Sequence, residues 1–196
     1  MAPNDDGARV SVEVSYGPRF ASALTYAAEL HRGQRRKGGG VPYIVHPLAV
    51  ASVVGTYGGD EDQAIAALLH DAIEDCGVGA ETIAARYGER VAGLVVAATD
   101  SDAHPRPPWR ARKAAHIARV RRLDADAKLV VAADKLHNAT SILRDLRRGR
   151  EVWGWFSAPR DQVRWYYRAM AEALRDGWPH PLAAELSFAV AALHAD

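Results

Sequence analysis

The sequence predicts an all-α fold, a single-domain helical bundle, and three observations carry that expectation. Apolar residues recur at helical spacing along most of the chain. Strand signals are weak, the sole candidate being Val10-Ser11-Val12-Glu13-Val14. The third observation is size. A chain of 196 residues, 48% hydrophobic and 25% charged, suits one globular domain. At this length roughly 70% of the unfolded surface can be buried.

Taken in order, residues 1–17 read as a lead-in and 18–196 as the folded domain, with its motifs in 31–138 and its last helices in 160–194. Residues 18–33 form a first helix, with Phe20, Leu24, Ala27, Ala28 and His31 near helical spacing. A basic, glycine-rich loop follows, Arg35-Arg36-Lys37-Gly38-Gly39-Gly40. A second helix spans 43–57. Asp60 caps a third that runs through Ala64-Ile65-Ala66-Ala67-Leu68-Leu69 to Glu74. Shorter helices occupy 80–87 and 88–99. The proline-rich stretch Ser101–Trp109 is a loop. Helices then cover 110–123, 126–147, 160–175 and 181–194.

Composition excludes several classes of function. The formal net charge of +1 gives no bulk field for nucleic acid or a membrane surface. No apolar run approaches the roughly 20 residues that span a bilayer. Met1-Ala2-Pro3-Asn4-Asp5-Asp6 lacks the basic-then-apolar order of a signal peptide. The single cysteine, Cys76, allows no intrachain disulfide. These features lead us to expect a soluble, cytoplasmic protein with a small-molecule partner, and neither nucleic acid nor membrane. The oligomeric state is not legible.

Three segments carry chemistry. In Leu69-His70-Asp71-Ala72-Ile73-Glu74-Asp75, a continuous helix would stack His70 on Glu74 and set Asp71 under Glu74 and Asp75. Three crowded carboxylates after an apolar turn repel one another, and a helix C-terminus disfavours them further. A divalent cation would relieve that conflict. In Val130-Val131-Ala132-Ala133-Asp134-Lys135-Leu136-His137-Asn138, Asp134 follows five apolar residues. Alone, it reads more naturally as the buried partner of a Lys or Arg than as a ligand. In Tyr43-Ile44-Val45-His46-Pro47, an isolated His46 reads as a satisfied core histidine. Together they offer two imidazoles and two carboxylates, a mixed set that suits Mn, Fe or Zn better than Mg or Ca. On a larger ion it leaves positions open for water and substrate.

The ordered set His46-Pro47, His70-Asp71 and Asp134 resembles the HD superfamily of metal-dependent phosphohydrolases, and within it the RelA/SpoT-type alarmone hydrolases. His31-Arg32-Gly33-Gln34-Arg35-Arg36-Lys37, Ala67–Asp75 and Ala133–Asn138 carry the match, which runs over residues 18–148 with an echo at Val163-Arg164-Trp165-Tyr166-Tyr167. The resemblance implies a helical HD-type domain with one divalent transition metal, Mn2+ foremost. It implies cleavage of the 3′-pyrophosphate of (p)ppGpp to GDP or GTP plus pyrophosphate.

By motif position, His46, His70, Asp71 and Asp134 are metal ligands, and Glu74 and Asp75 are catalytic. Arg36, Lys37, Tyr43 and Asn138 fall at substrate-binding positions. His31 is expected to be structural, and His104, His116, His180 and His194 have no evident partners. Two departures touch the nucleotide side: the three-glycine loop between Lys37 and Pro42, and Thr140 where several relatives carry arginine. They leave (p)ppApp, or the 2′-phosphate of NADPH, open as the substrate. A silent nucleotide-sensing module is the third reading, and the intact set argues against it. The chain has no room for synthetase and regulatory domains, so a stand-alone hydrolase is expected.

Overall fold

The computed structural model describes residues 15–101, 105 and 107–195. Among these the chain is helical, with an isolated β-bridge between Arg35 and Pro42. The strand candidate at Val10–Val14 and His104 lie outside the described residues. The helices are α1 (Pro18–Leu30), α2 (Val45–Thr56), α3 (Glu61–Leu69), α4 (Ala72–Cys76), α5 (Ala80–Tyr87), α6 (Glu89–Ala98), α7 (Trp109–Val120), α8 (Ala125–Arg147), α9 (Arg160–Arg175) and α10 (Pro181–Ala195). A 3₁₀ turn, Trp153–Trp155, precedes α9. The all-α expectation is met.

α3 lies at the centre and packs against α1, α2, α6 and α8. Its residues Ala64 to Leu69 are all fully buried. It starts where the sequence places it. The Asp60 side chain accepts from Gln63 N, and the Gln63 side chain accepts from Asp60 N, a reciprocal capping box. Small side chains are buried on both of two touching helices, Ala66 and Ala67 on α3 and Ala132 and Ala133 on α8. Leu68 and Leu69 drive the packing, each worth about 1.5–3 kcal/mol on burial. α8, 23 residues long, spans about 35 Å. It is the rail to which α2, α3, α6, α9 and α10 dock. No helix among the described residues is long and apolar enough to cross a membrane.

One sequence-based expectation is corrected. The helix from Asp60 does not continue to Glu74; it ends at Leu69, and α4 begins at Ala72. Asp71, with φ −97° and ψ 1°, sits in the bridge region and serves as the N-cap of α4. On a continuous helix His70 and Asp71 would point 100° apart; the break lets neighbouring residues face one site. Glu74 and Asp75 consequently occupy the first turn of a new helix, where the dipole favours carboxylates.

Candidate metal centre and its cavity

Two imidazoles and two carboxylates meet at the junction of three helices, with His46, His70 and Asp134 mutually close and Asp71 against both imidazoles. His46 comes from the first turn of α2, His70 and Asp71 from the α3–α4 break, and Asp134 from the middle of α8. His46 Nε2 lies 3.1 Å from His70 Nε2, 3.2 Å from Asp134 Oδ1 and 3.6 Å from Asp71 Oδ2. His70 Nε2 lies 3.0 Å from Asp71 Oδ2 and 3.7 Å from Asp134 Oδ1. Donors bound at about 2.0–2.2 Å to one ion stand about 3.0–3.6 Å apart, so the spacing fits a cation. His46, His70 and Asp134 are buried, and their ligand atoms all lie within 4.8 Å of one another. This group suits a divalent metal.

The surroundings orient these side chains. His70 Nδ1 lies 2.7 Å from the Ala67 carbonyl, to which it donates, so Nε2 is the nitrogen that faces the site. Burial opposes charge on His70, but Asp71 and Asp134 outweigh it and raise its pKa to about 9. Burial and the neighbouring His70 lower that of His46. Asp134 is held well below the usual carboxylate range: burial resists, but Lys135 and the two histidines prevail. Lys135 Nζ donates to Asp134 Oδ2 at 2.6 Å, and Asn138 Nδ2 donates to Oδ1. Asp71, opposed by burial but favoured by His70 and His46, is likewise held low. It accepts a 2.6 Å hydrogen bond from Tyr43 Oη, whose own pKa is raised by burial and by Asp71.

The cluster lies on a cavity of about 770 Å3 lined by basic residues, among them Arg36, Lys37, Lys113 and Arg144. Arg36 donates through Nη2 to Asn138 Oδ1 at 2.9 Å, so Asn138 links a cavity cation to the metal-site carboxylate. Glu74 and Asp75 also line the cavity, and Asp75 accepts from Gln34 Nε2 at 3.0 Å. His31 is buried against Tyr43, its ring 4.9 Å away, and bonds Gln34 Oε1 at 2.6 Å, a structural placement.

The HD domain family profile matches residues 23–153. The chain belongs to the HD-domain family. It is similar to guanosine-3′,5′-bis(diphosphate) 3′-pyrophosphohydrolase MESH1 of Xenopus tropicalis, 37% identical over 156 residues that cover 78% of this chain and 81% of that protein. Human MESH1 is 37% identical over 137 residues, 68% and 73% of the two chains. A probable guanosine-3′,5′-bis(diphosphate) 3′-pyrophosphohydrolase of Synechocystis is 37% identical over 61% of this chain, but over just 16% of its own length. Among solved structures, a metazoan ortholog of SpoT that hydrolyses ppGpp superposes with TM-score 0.75 and 31% identity, covering 90% of this chain and 96% of that one. A Listeria monocytogenes protein reaches TM-score 0.68 and 33% identity over 74% and 96%.

Within this HD domain all ten sequence-predicted site residues fall on or beside one cavity. Sequence reasoning missed three residues that line the cavity, Lys135, His137 and Trp155, and Asp100, which pairs with two lining cations. Lys135 and His137 lay inside a motif already singled out, one beside Asp134 and the other one turn before Ser141. Asp100 and Trp155 gave no local signal, because their partners are 12 or more residues away.

Proposed function

We propose that this HD domain hydrolyses the 3′-pyrophosphate of guanosine alarmones, converting (p)ppGpp to GDP or GTP plus pyrophosphate. One observation carries the reading: two imidazole nitrogens 3.1 Å apart, each 3.0–3.7 Å from a carboxylate oxygen of Asp71 and of Asp134, adjoin a basic cavity large enough for a nucleotide, in a chain 37% identical to MESH1 of Xenopus tropicalis over 156 residues. His46, His70, Asp71 and Asp134 would hold one divalent transition metal, Mn2+ by preference for a mixed nitrogen and oxygen set. When bound, such an ion acidifies water and offsets phosphate charge.

The chain's own groups do the rest. Glu74 takes the proton from the attacking water, and Asp75, fixed by Gln34, helps orient it. The water oxygen bonds to the inner phosphorus of the 3′-pyrophosphate while the bond from that phosphorus to ribose O3′ breaks. The electron pair stays on O3′, which is then protonated. Arg36, Lys37, Tyr43 and Asn138 hold the nucleotide, and the Arg36 guanidinium can meet a base face or a phosphate. The single half-buried Cys76, its thiol pushed up to about 11 by burial and by Asp75 and Asp71, fits a reducing cytoplasm.

Manganese-loaded protein incubated with ppGpp should release pyrophosphate and GDP. Orthophosphate from NADPH with ppGpp untouched, or turnover of ppApp alone, would replace this substrate with the alternative. Full activity after chelation would remove the metal from the reading.

A further inference from the structure

Apart from the metal cluster, the most heavily charged buried group in the domain is centred on Asp100, just past the end of α6. Its carboxylate is 5% exposed, yet three basic side chains of α7 converge on it. Lys113 Nζ lies 2.7 Å from Oδ2, Arg112 Nη1 bonds the same oxygen, and His116 Nδ1 stands 3.3 Å from Oδ1. Arg119 Nη2 donates to the Thr99 carbonyl at 2.5 Å and to that of Asp100 at 3.2 Å. Arg112, Lys113, His116 and Arg119 thus anchor one stretch of α7 to the end of α6.

Two features separate this group from an ordinary structural tie. First, the charges do not balance: Arg112 and Lys113 bring two full cations to one carboxylate, and both line the cavity. Second, three buried atoms of the group, Arg112 Nε, His116 Nε2 and Asp100 Oδ1, have no hydrogen-bond partner among the described residues. The position of Lys113 gives the excess charge a use. Its Nζ lies 4.5 Å from the Tyr166 ring centroid, and Lys135 Nζ lies 5.9 Å from the same centroid. Lys135 in turn is 2.6 Å from Asp134. The Tyr166 ring is therefore shared by the α7 cation and by the lysine that pairs with Asp134, and Glu74 lines the same cavity as Lys113.

We infer that Lys113 and Arg112 form a subsite for the reacting pyrophosphate group, and that Asp100 is the positioning residue that holds them on the cavity wall. The inference rests on the pyrophosphohydrolase reading above. A buried carboxylate fixes both cations before substrate arrives, so little side-chain freedom is lost on binding. It takes up one of the two positive charges and leaves the other for phosphate.

The test is calorimetric titration of metal-loaded protein with inorganic pyrophosphate and, separately, with GDP. Lys113→Met and Asp100→Asn should each weaken pyrophosphate binding about 10-fold, the scale of one charged hydrogen bond. GDP affinity should stay within about twofold of wild type. In the double variant Asp100→Asn should add less to Lys113→Met than it costs alone, because Arg112 is then the one cation it still positions. Wild-type pyrophosphate affinity in Lys113→Met would overturn the inference, as would losses that multiply in the double variant or fall on GDP alone. If Asp100→Asn does not fold, Lys113→Met decides by the same criterion. Turnover of ppGpp by the wild type is scored in parallel, so failure of the substrate reading is seen separately from failure of this subsite.

Discussion

The imidazoles of His46 and His137 stack with centroids 4.8 Å apart, and their Nδ1 atoms are 2.7 Å apart. A contact between two ring nitrogens needs one donor and one acceptor. Burial, His46 and Arg36 lower the pKa of His137 to about 3, so it is neutral. In the proposed ligand role His46 keeps its Nε2 lone pair for a metal, which makes its Nδ1–H the donor and His137 Nδ1 the acceptor. The remaining His137 N–H faces Ser141 Oγ at 3.5 Å. His137→Ala should therefore weaken manganese binding about 10- to 100-fold, the usual effect of losing a ligand's outer partner. Metal titration of chelator-treated protein checks this; an unchanged affinity would show that His46 needs no such orientation.

Gly38 limits the basic loop in two ways. Its φ is +73°, and a Cβ there would stand 2.1 Å from ring atoms of Trp155. The Trp155 ring therefore lies against the bare backbone beside Lys37. Gly38→Ala should shift the loop and raise KM about 10-fold with little change in kcat, since binding contacts are altered rather than the reacting groups. Trp155→Ala in the same chain should restore only part of that loss. It removes the clash but not the left-handed backbone, which costs a non-glycine residue about 1–2 kcal/mol. Steady-state kinetics on the three variants measure both effects.

Acid should destabilise the fold through His116. This side chain is fully buried, and burial together with Lys135, Lys113 and Arg119 lowers its pKa to about 2. Asp100, already shared by Arg112 and Lys113, does not restore its charge. Below the unfolded value of about 6.5 the unfolded chain binds a proton that the folded chain refuses, so stability is full above that pH and falls as pH drops. The slope due to this residue approaches about 1.4 kcal/mol per pH unit. Urea unfolding of wild type and His116→Gln at pH 7.5, 6.5 and 5.5 isolates it as the difference between two slopes. Equal slopes would mean that His116 titrates in the folded protein.

How much of this was legible depended on whether the signal was local. Asp60 announced α3 because a capping box is contained in four residues. The four metal-suited residues were legible as an ordered set of motifs. Asp134, taken alone, read as the partner of a lysine, and it is one: it bonds Lys135 while facing the two histidines. What stayed hidden were relationships across space. The break at His70–Asp71 was invisible because nothing in Leu69-His70-Asp71-Ala72 disfavours a helix; convergence on α8 and α2 overrides local preference there. Asp100 sits beside a proline-rich loop that reads as a plain connection, and its role depends on a helix that begins nine residues later.

The division of labour between Asp71 and Glu74 follows from that break. Asp71 Oδ2 lies 3.0 Å and 3.6 Å from the two imidazole nitrogens, within the donor cluster. Glu74 lies in the first turn of α4 and lines the cavity rather than the cluster. Asp71→Asn should therefore lose most of the bound metal, because an amide replaces a carboxylate on which two histidines converge. Glu74→Gln should retain about one ion per chain and a wild-type melting curve, yet turn over about 10²- to 10⁴-fold more slowly, the range for a lost general base. Glutamine keeps the shape but cannot take a proton from water at neutral pH. Metal content by elemental analysis, set beside single-turnover rates, separates the two variants. If Glu74→Gln loses its metal, Glu74 is a ligand. If it turns over at the wild-type rate, the proton leaves by another group, and Asp75, hydrogen-bonded to Gln34, is the next carboxylate to replace.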